Sequence, residues 1–316
     1  VCKQALWGGN RLLSDYHQHC PEGTCAESWV LSAHEAGSSL LESGPFAGQD
    51  LRTMAAGEGR ETLGKKGQQF DRFPVLIKLI DAAAPLSVQV HPDDDFALEH
   101  EHEYGKTEMW VILQSDPGAF LYFGVEKDVT PEEVRTRAQD GTLENVLRRV
   151  PVHPGDVFFI RAGTIHAIGA GITLCEIQQN SNTTYRLYDY GRLDKDGKPR
   201  QLHIEKSLDV ITYPAREPEP APVAPAGSCA QTLIRNPYYQ VEKLALKGEA
   251  YRLPQDRPFL CLSVLEGAVV LTEKGTAGEA VPAEGEKLEA GTHLLIPPQG
   301  DTLYLRGSGT VLVSSP

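Results

Sequence analysis

Two histidines and a glutamate, His91, Glu108 and His166, stand beside short apolar runs of this 316-residue chain, where a strand end could present them to a pocket. In LSVQVH (86–91) strand alternation puts Ser87, Gln89 and His91 on one face and Leu86, Val88 and Val90 on the other. In KTEMWVIL (106–113) Lys106, Glu108, Trp110 and Ile112 share a face that passes from charged to apolar, which suits a pocket with a dry floor and a polar mouth. PGDVFFIRAGTIHAIGAG (154–171) reads as a strand–turn–strand hairpin delivering the imidazole of His166. Each piece alone also fits the wet face of a half-buried strand or a satisfied core histidine. Converging, they make a donor set of two nitrogens and a carboxylate, with Gln89 as a neutral oxygen ligand. That set suits Zn²⁺ or another divalent first-row metal. It equally describes a non-haem Fe(II) facial triad, so the ligands alone do not choose a reaction.

The elements that must hold these residues are short strands. PVLIKLI (74–80), EMWVIL (108–113), AFLYFG (119–124), DVFFIRA (156–162) and ITLCEIQQ (172–179) are rich in β-branched and aromatic residues and bounded by turn formers. One helix is expected at about 131–149, capped by Thr130 with Pro131 in its first turn. PAREPEPAPVAPAGSC (214–229) reads as an extended linker, because five prolines exclude both helix and inner strand. It separates a catalytic domain, 1–213, from a smaller domain, 230–316, with strands at 259–267, 268–274, 293–298, 301–307 and 310–315. Many short strands between turns predict a mainly β protein with a few helices, built as sandwiches or jelly-roll barrels.

Composition narrows the partners. A formal charge of -13 repels phosphate backbones and anionic lipid, and no apolar run is long enough to span a bilayer, so neither nucleic acid nor membrane is expected. Six cysteines, at 2, 20, 25, 175, 229 and 261, include no CxxC pair and read as free thiols of a reducing compartment rather than as a disulfide or zinc framework. No secretory leader pattern opens the sequence, so a cytoplasmic location is expected.

The 154–171 segment resembles the second motif of the cupin superfamily, with Arg161 where proline is usual. More specifically, FPVLIKLIDAAAPLSVQVHPDD, GKTEMWVIL, AGTIHAIGAG and EIQQNSNTTYRLYDYGR resemble the signatures of the class I mannose-6-phosphate isomerases in their short bacterial form. LWGGNRL (6–12) and AESWVLSAHEAGSS (26–39) resemble that family's N-terminal segments, and residues 230–316 resemble its degenerate second cupin, with His293 as their one histidine. The resemblance implies two cupin-like jelly-roll β-barrels and a metal-dependent isomerase of D-mannose 6-phosphate and D-fructose 6-phosphate. One Zn²⁺ per chain would sit in the N-terminal domain. His91, Glu108 and His166 fall on the family's metal ligands, Gln89 on a fourth ligand, Arg186 on its catalytic arginine and Lys106 on a lysine two before the ligand glutamate. Asn182 stands where aspartate is common.

In such a reaction Arg186 cannot be a base, its pKa being above ~12, and is expected to stabilise the enediolate. An ion pair with Asp189 is the alternative for this side chain. Lys106, beside a metal, is expected to serve ring opening or proton relay. Ser87 and Arg192 are candidates for the sugar or its phosphate. The phosphosugar has to be met locally: 183–206 holds six Lys and Arg against four Asp and Glu, while 91–108 holds seven carboxylates and one lysine. An iron oxygenase or a non-enzymatic sugar-binding cupin would share the ligand set but would not need Arg186 and Lys106 on its face.

Overall fold

Alternating and all-apolar runs of five to eight residues can bury their side chains only by pairing edge to edge and facing a second sheet, and strands accordingly dominate the fold. The computed structural model describes residues 1–20, 23–126, 129–194, 196–213, 217–274, 284–298 and 302–316. Its N-terminal part contains β1 (Cys2–Lys3), β2 (Glu27–Leu31), β3 (Val75–Ala82), β4 (Val88–Val90), β5 (Glu108–Ser115) and β6 (Phe120–Val125). These are followed by β7 (Leu147–Pro151), β8 (Val157–Ile160), β9 (His166–Ile168), β10 (Ile172–Gln179) and β11 (Tyr185–Tyr188). Two antiparallel sheets result, ordered β1-β2-β3-β10-β5-β8 and β11-β4-β9-β6-β7. Between them lies an apolar cluster including Ile80, Trp110, Ile112, Phe123, Phe158, Ile160 and Leu174. The mainly β class and the face-to-face pairing of two sheets hold, although no ladder closes these sheets into one barrel among the described residues.

Four local expectations change. The segment expected to be one helix over 131–149 is an α-helix at Pro131–Asp140, ended by Gly141 in the left-handed region at φ 79°, then a short 3-10 turn and strand β7. The helix stops there because only glycine adopts that conformation freely, and the chain turns out of the helix. The segment expected to be a hairpin before His166 is instead a crossover: β8 pairs with β5 in the first sheet, while β9 pairs with β4 and β6 in the second. Leu86, expected to share a face with Val88 and Val90, precedes β4 and packs in the inner cluster, whereas Val88 and Val90 pack on the outer side of the second sheet. Finally, the strands at 259–267 and 268–274 are one, Leu260–Lys274, and those at 301–307 and 310–315 form another, Thr302–Ser315. Gly267 and Gly307, both at positive φ, let these two strands run on as pairing partners where a turn was expected. Asp301, where the fourth C-terminal strand was expected to start, lies outside the described residues.

The C-terminal sheet runs Ala230–Arg235, Gln240–Arg252, Thr302–Ser315, Leu260–Lys274, Glu286–Glu289, with His293–Ile296 also paired to Leu260–Lys274. Its Leu233, Tyr239, Val241, Phe259 and Leu312 share one core with Ile77, Leu79, Met109, Val111 and Ile177 on the outer face of the first N-terminal sheet. Phe259 stacks on Phe73 at 5.1 Å, and Tyr239 donates to the Thr107 carbonyl at 3.3 Å, next to Glu108. Of the expected linker, 214–216 lie outside the described residues, and 217–229 carry neither helix nor strand. That stretch is tied to the first part by Glu217 with Arg148 at 2.9 Å and by Glu219 with Arg161 at 3.0 Å. Arg161, the departure from the usual proline, thus has a local task here.

Because Phe259 is 1% exposed at this junction, Phe259→Ala is expected to destabilise the chain by about 3–5 kcal/mol in urea denaturation. A loss below about 1 kcal/mol would mean that the two parts do not share a packed core.

Candidate metal centre

The inner face of the first sheet is apolar at one end and charged at the other. Ile80, Leu174 and Ile112 stand in register across β3, β10 and β5. Two residues along come Lys78, Glu176 and Trp110, and two further Gln178 opposite Glu108. The alternation of a strand therefore converts a linear sequence of isoleucine, charge and carboxylate into a dry floor with a polar end. From the facing sheet β4 contributes Gln89, β9 contributes His166 as its register partner, and β11 sets Arg186 beside Gln89. His91 follows β4 directly, and its carbonyl accepts from the Gly163 N–H at 2.8 Å, which fixes the crossover that leads to His166. Gly163 has φ 83°, and a Cβ there would lie 2.4 Å from Thr212 Oγ1, so both conformation and space require glycine.

Three residues far apart in sequence thus meet in one spot. His166 Nε2 lies 3.2 Å from Glu108 Oε1, and His91 Nε2 lies 3.6 Å from Glu108 Oε2. All are sealed from solvent, at 0% exposure for Glu108 and His166 and 1% for His91. Each ring is oriented by its other nitrogen: His91 Nδ1 is 2.9 Å from the Thr183 carbonyl and His166 Nδ1 is 2.9 Å from the Thr164 carbonyl. A carbonyl only accepts, so each Nδ1 carries the proton. Burial, and for His91 also the Lys106 ammonium, depresses both imidazole pKa values, that of His91 to about 3. Both Nε2 atoms are therefore bare lone pairs turned toward a carboxylate. Burial opposes ionisation of Glu108, but the Lys106 ammonium outweighs it and holds its carboxyl well below the usual range. Neither of its oxygens receives a hydrogen bond of proper geometry.

Acceptors facing acceptors in a dry site call for a cation. The set of two imidazole nitrogens and a carboxylate fits a divalent first-row ion. Lys106 already leans on it, with Nζ 2.5 Å from Glu108 Oε2 and 3.2 Å from His91 Nε2. Gln89 presents its amide nitrogen to His166 Nε2 at 3.4 Å, so as an oxygen ligand its amide would be turned over.

Arg186 does not pair with Asp189. That carboxylate is taken by Arg192 and Arg200, each with a nitrogen 2.5 Å from Oδ1. Arg186 donates to Ser87 Oγ at 3.2 Å and to the Gln201 carbonyl at 3.0 Å. Burial, then the Arg200 charge, lower its pKa, so the rim holds three guanidiniums against one carboxylate. Arg192 further donates to the Pro85 carbonyl at 2.5 Å, directly before the Ser87 segment.

Two buried charges escaped the sequence reading. Lys78 Nζ is 3.1 Å from Glu176 Oε1 and 3.7 Å from Glu27 Oε2, and Trp110 Nε1 donates to Glu176 Oε2 at 3.0 Å. Lys106 lies 3.8 Å from the same Glu176 oxygen. Burial and then Glu108 raise the Glu176 pKa, whereas Glu27 and Glu176, outweighing desolvation, raise that of Lys78. The available signal was a charge in the middle of an apolar strand, in VLIKLI and ITLCEIQ, which is costly unless a partner is buried with it.

The profile described as "Phosphomannose isomerase type I, catalytic domain" matches residues 1–113, and that described as "Mannose-6-phosphate isomerase, cupin domain" matches residues 230–316. A mannose-6-phosphate isomerase of Streptococcus mutans is 40% identical over 294 residues, covering 92% of this chain and 89% of that protein. One from Bacillus subtilis is 40% identical over 318 residues, covering 99% of this chain and 96% of that protein. The crystal structure of the mannose 6-phosphate isomerase from Bacillus subtilis superposes with a TM-score of 0.90 at 34% identity, covering 100% of this chain and 98% of that one.

Two outcomes follow from the charges. Lys78→Met, which removes the ammonium nearest to Glu176 and Glu27 and leaves Glu176 only Lys106 at 3.8 Å, is expected to cost about 3–5 kcal/mol, and Lys78→Met with Glu176→Gln to recover part of it in denaturation midpoints. For Asp189, burial opposes ionisation, but the hydrogen bonds of Arg200 and Arg192 hold the folded pKa below its ordinary value. The stabilisation is then present above the unfolded value and lost as pH falls through the folded one. Asp189→Asn should therefore cost about 1–3 kcal/mol at neutral pH and progressively less below about pH 4; a constant gap would refute the pairing.

Proposed function

The chain belongs to the type I mannose-6-phosphate isomerases, which are metal-dependent enzymes, and we propose that it interconverts D-mannose 6-phosphate and D-fructose 6-phosphate at the His91–Glu108–His166 centre. The observation that carries this reading is the buried carboxylate of Glu108, met by two bare imidazole nitrogens, with Lys106 and Glu176 beside it. One Zn²⁺ would be held by His91, Glu108 and His166, with Gln89 as a fourth ligand once its amide is turned. A bound divalent ion supplies Lewis-acid polarisation of the sugar carbonyl, worth several kcal/mol. The catalytic unit in this reading is residues 1–213, and residues 230–316 cover the outer face of its first sheet.

Isomerisation moves one proton between C1 and C2 and develops negative charge on the sugar oxygens. The two histidines are poor candidates for that proton, since each Nδ1 is bound to a carbonyl and each Nε2 faces the metal position. The two carboxylates differ usefully. Glu108 is held ionised by the Lys106 ammonium, and Glu176 is pushed toward its neutral form by burial and by Glu108. Environments that drive two such groups apart are the usual mark of separate ligand and acid–base duties. Glu176, with Lys106 3.8 Å away, is accordingly assigned to proton transfer, and Lys106 to opening the sugar ring. Arg186, already in a cationic rim and preorganised by Ser87 and Gln201, stabilises the enediolate. Ser87 offers its hydroxyl to the sugar or phosphate. Arg192 spends its donors on Pro85 and Asp189, which supports a part in shaping the phosphate-binding rim together with Arg200.

The test is a coupled assay for fructose 6-phosphate formed from mannose 6-phosphate, before and after chelation and after restoring zinc. No turnover in the zinc-loaded protein would overturn the reading. Arg186→Ala should lower turnover about 10²–10³-fold with metal content unchanged. His166→Ala should instead lose the metal, read by elemental analysis of the dialysed protein.

A further inference from the structure

The six cysteines show no pairing in sequence, yet three of them meet. The sulfurs of Cys2, Cys20 and Cys25 all lie within 4.8 Å of one another, and all six cysteines are free thiols. The group is assembled by the fold. Cys2 sits on β1 opposite Ser28 of β2, Cys25 is held by its N–H to the Gly9 carbonyl at 2.8 Å, and Cys20 comes from the loop that precedes it. Cys25 is fully buried, and Cys2 and Cys20 are partly so, packed on the core shared with the C-terminal sheet. That is the outer side of the first sheet, across from the His91–Glu108–His166 cluster on its inner side.

We propose that Cys2, Cys20 and Cys25 form a second metal site, a thiolate site for a soft d¹⁰ cation of the Zn²⁺ or Cd²⁺ class. Three sulfurs bound to one ion at about 2.3 Å in tetrahedral geometry stand somewhat under 4 Å apart, so the observed spacing needs only a small contraction. Soft sulfur donors suit such ions, and Cd²⁺, softer than Zn²⁺, favours them over the nitrogen–carboxylate set. Ser28 Oγ, 3.7 Å from Cys2 Sγ, lines the same spot, and the fourth position remains for water. All three thiols release their protons to solvent on binding, and no oxidation or reduction takes place.

The experiment titrates the reduced, metal-free full chain with Cd²⁺ and follows thiolate-to-cadmium charge-transfer absorption, which imidazole and carboxylate ligands do not produce. The expected result is a band that saturates at one equivalent bound to sulfur. It should be unchanged in His166→Ala and lost in Cys20→Ser and in Cys2→Ser, with isomerase turnover of the zinc-loaded Cys20→Ser protein unaltered. Cys20, in a loop and partly exposed, is the position least able to disturb folding, and circular dichroism checks both variants. Absence of the band in the wild type, or its persistence in folded Cys20→Ser and Cys2→Ser, would overturn the proposal. So would a loss of two mass units, showing a disulfide, in a reduced sample that takes up no cadmium.

Discussion

A glutamate carboxylate with no exposure to water is the constraint around which this molecule is arranged. An ion of that size loses a hydration shell worth many kcal/mol when it enters a β-sandwich, and only cations or strong donors at contact distance can replace it. Glu108 meets Lys106, and beyond Lys106 lie Glu176, Lys78 and Glu27 in a chain of alternating sign. Because each charge is neutralised by its neighbours, no member is free to move without exposing another. The result is a rigid, polar end to a sheet whose remaining inner face is aliphatic.

Sheet geometry explains how so many charges can be kept there. Lys78, Glu176 and Trp110 are register partners on three adjacent strands, so their side chains leave the sheet side by side. The opposing sheet supplies Gln89, His166 and Arg186 as register partners in the same way. The outer face of the first sheet is closed by the C-terminal sheet, and Tyr239 reaches the Thr107 carbonyl immediately before Glu108. The C-terminal part thus keeps water from the back of the strand that carries the buried carboxylate, without contributing a metal ligand among the described residues.

Much of the architecture was legible because the strands are strongly patterned. β3, β5, β10 and the end of β4 fall where β-branched and aromatic runs put them, and the change from charge to hydrocarbon along KTEMWVIL is visible as alternation. The misread pieces have identifiable causes. DVFFIRAGTIHAIG looks like a hairpin, since local sequence does not say that β8 and β9 join different sheets. The helix beginning at Pro131 ends where Gly141 adopts positive φ, a position that propensity alone runs through. Gly267 and Gly307 read as turns but sit within continuous strands, where a paired neighbour outweighs the local tendency to bend.

The sequence by itself determined the residue types of the candidate metal centre, their places at strand ends, the basic stretch around Arg186 and the mainly β class, because those depend on residue chemistry and on a period of two. Only the tertiary structure decided the pairings. It gave Asp189 to Arg192 and Arg200 rather than to Arg186, made Lys78 and Glu176 neighbours of the His91–Glu108–His166 cluster, and brought Cys2, Cys20 and Cys25 together. Each of these depends on which strands lie side by side and in what register. Register is settled by burying whole faces at once, a property of the assembled sheets that no single segment carries.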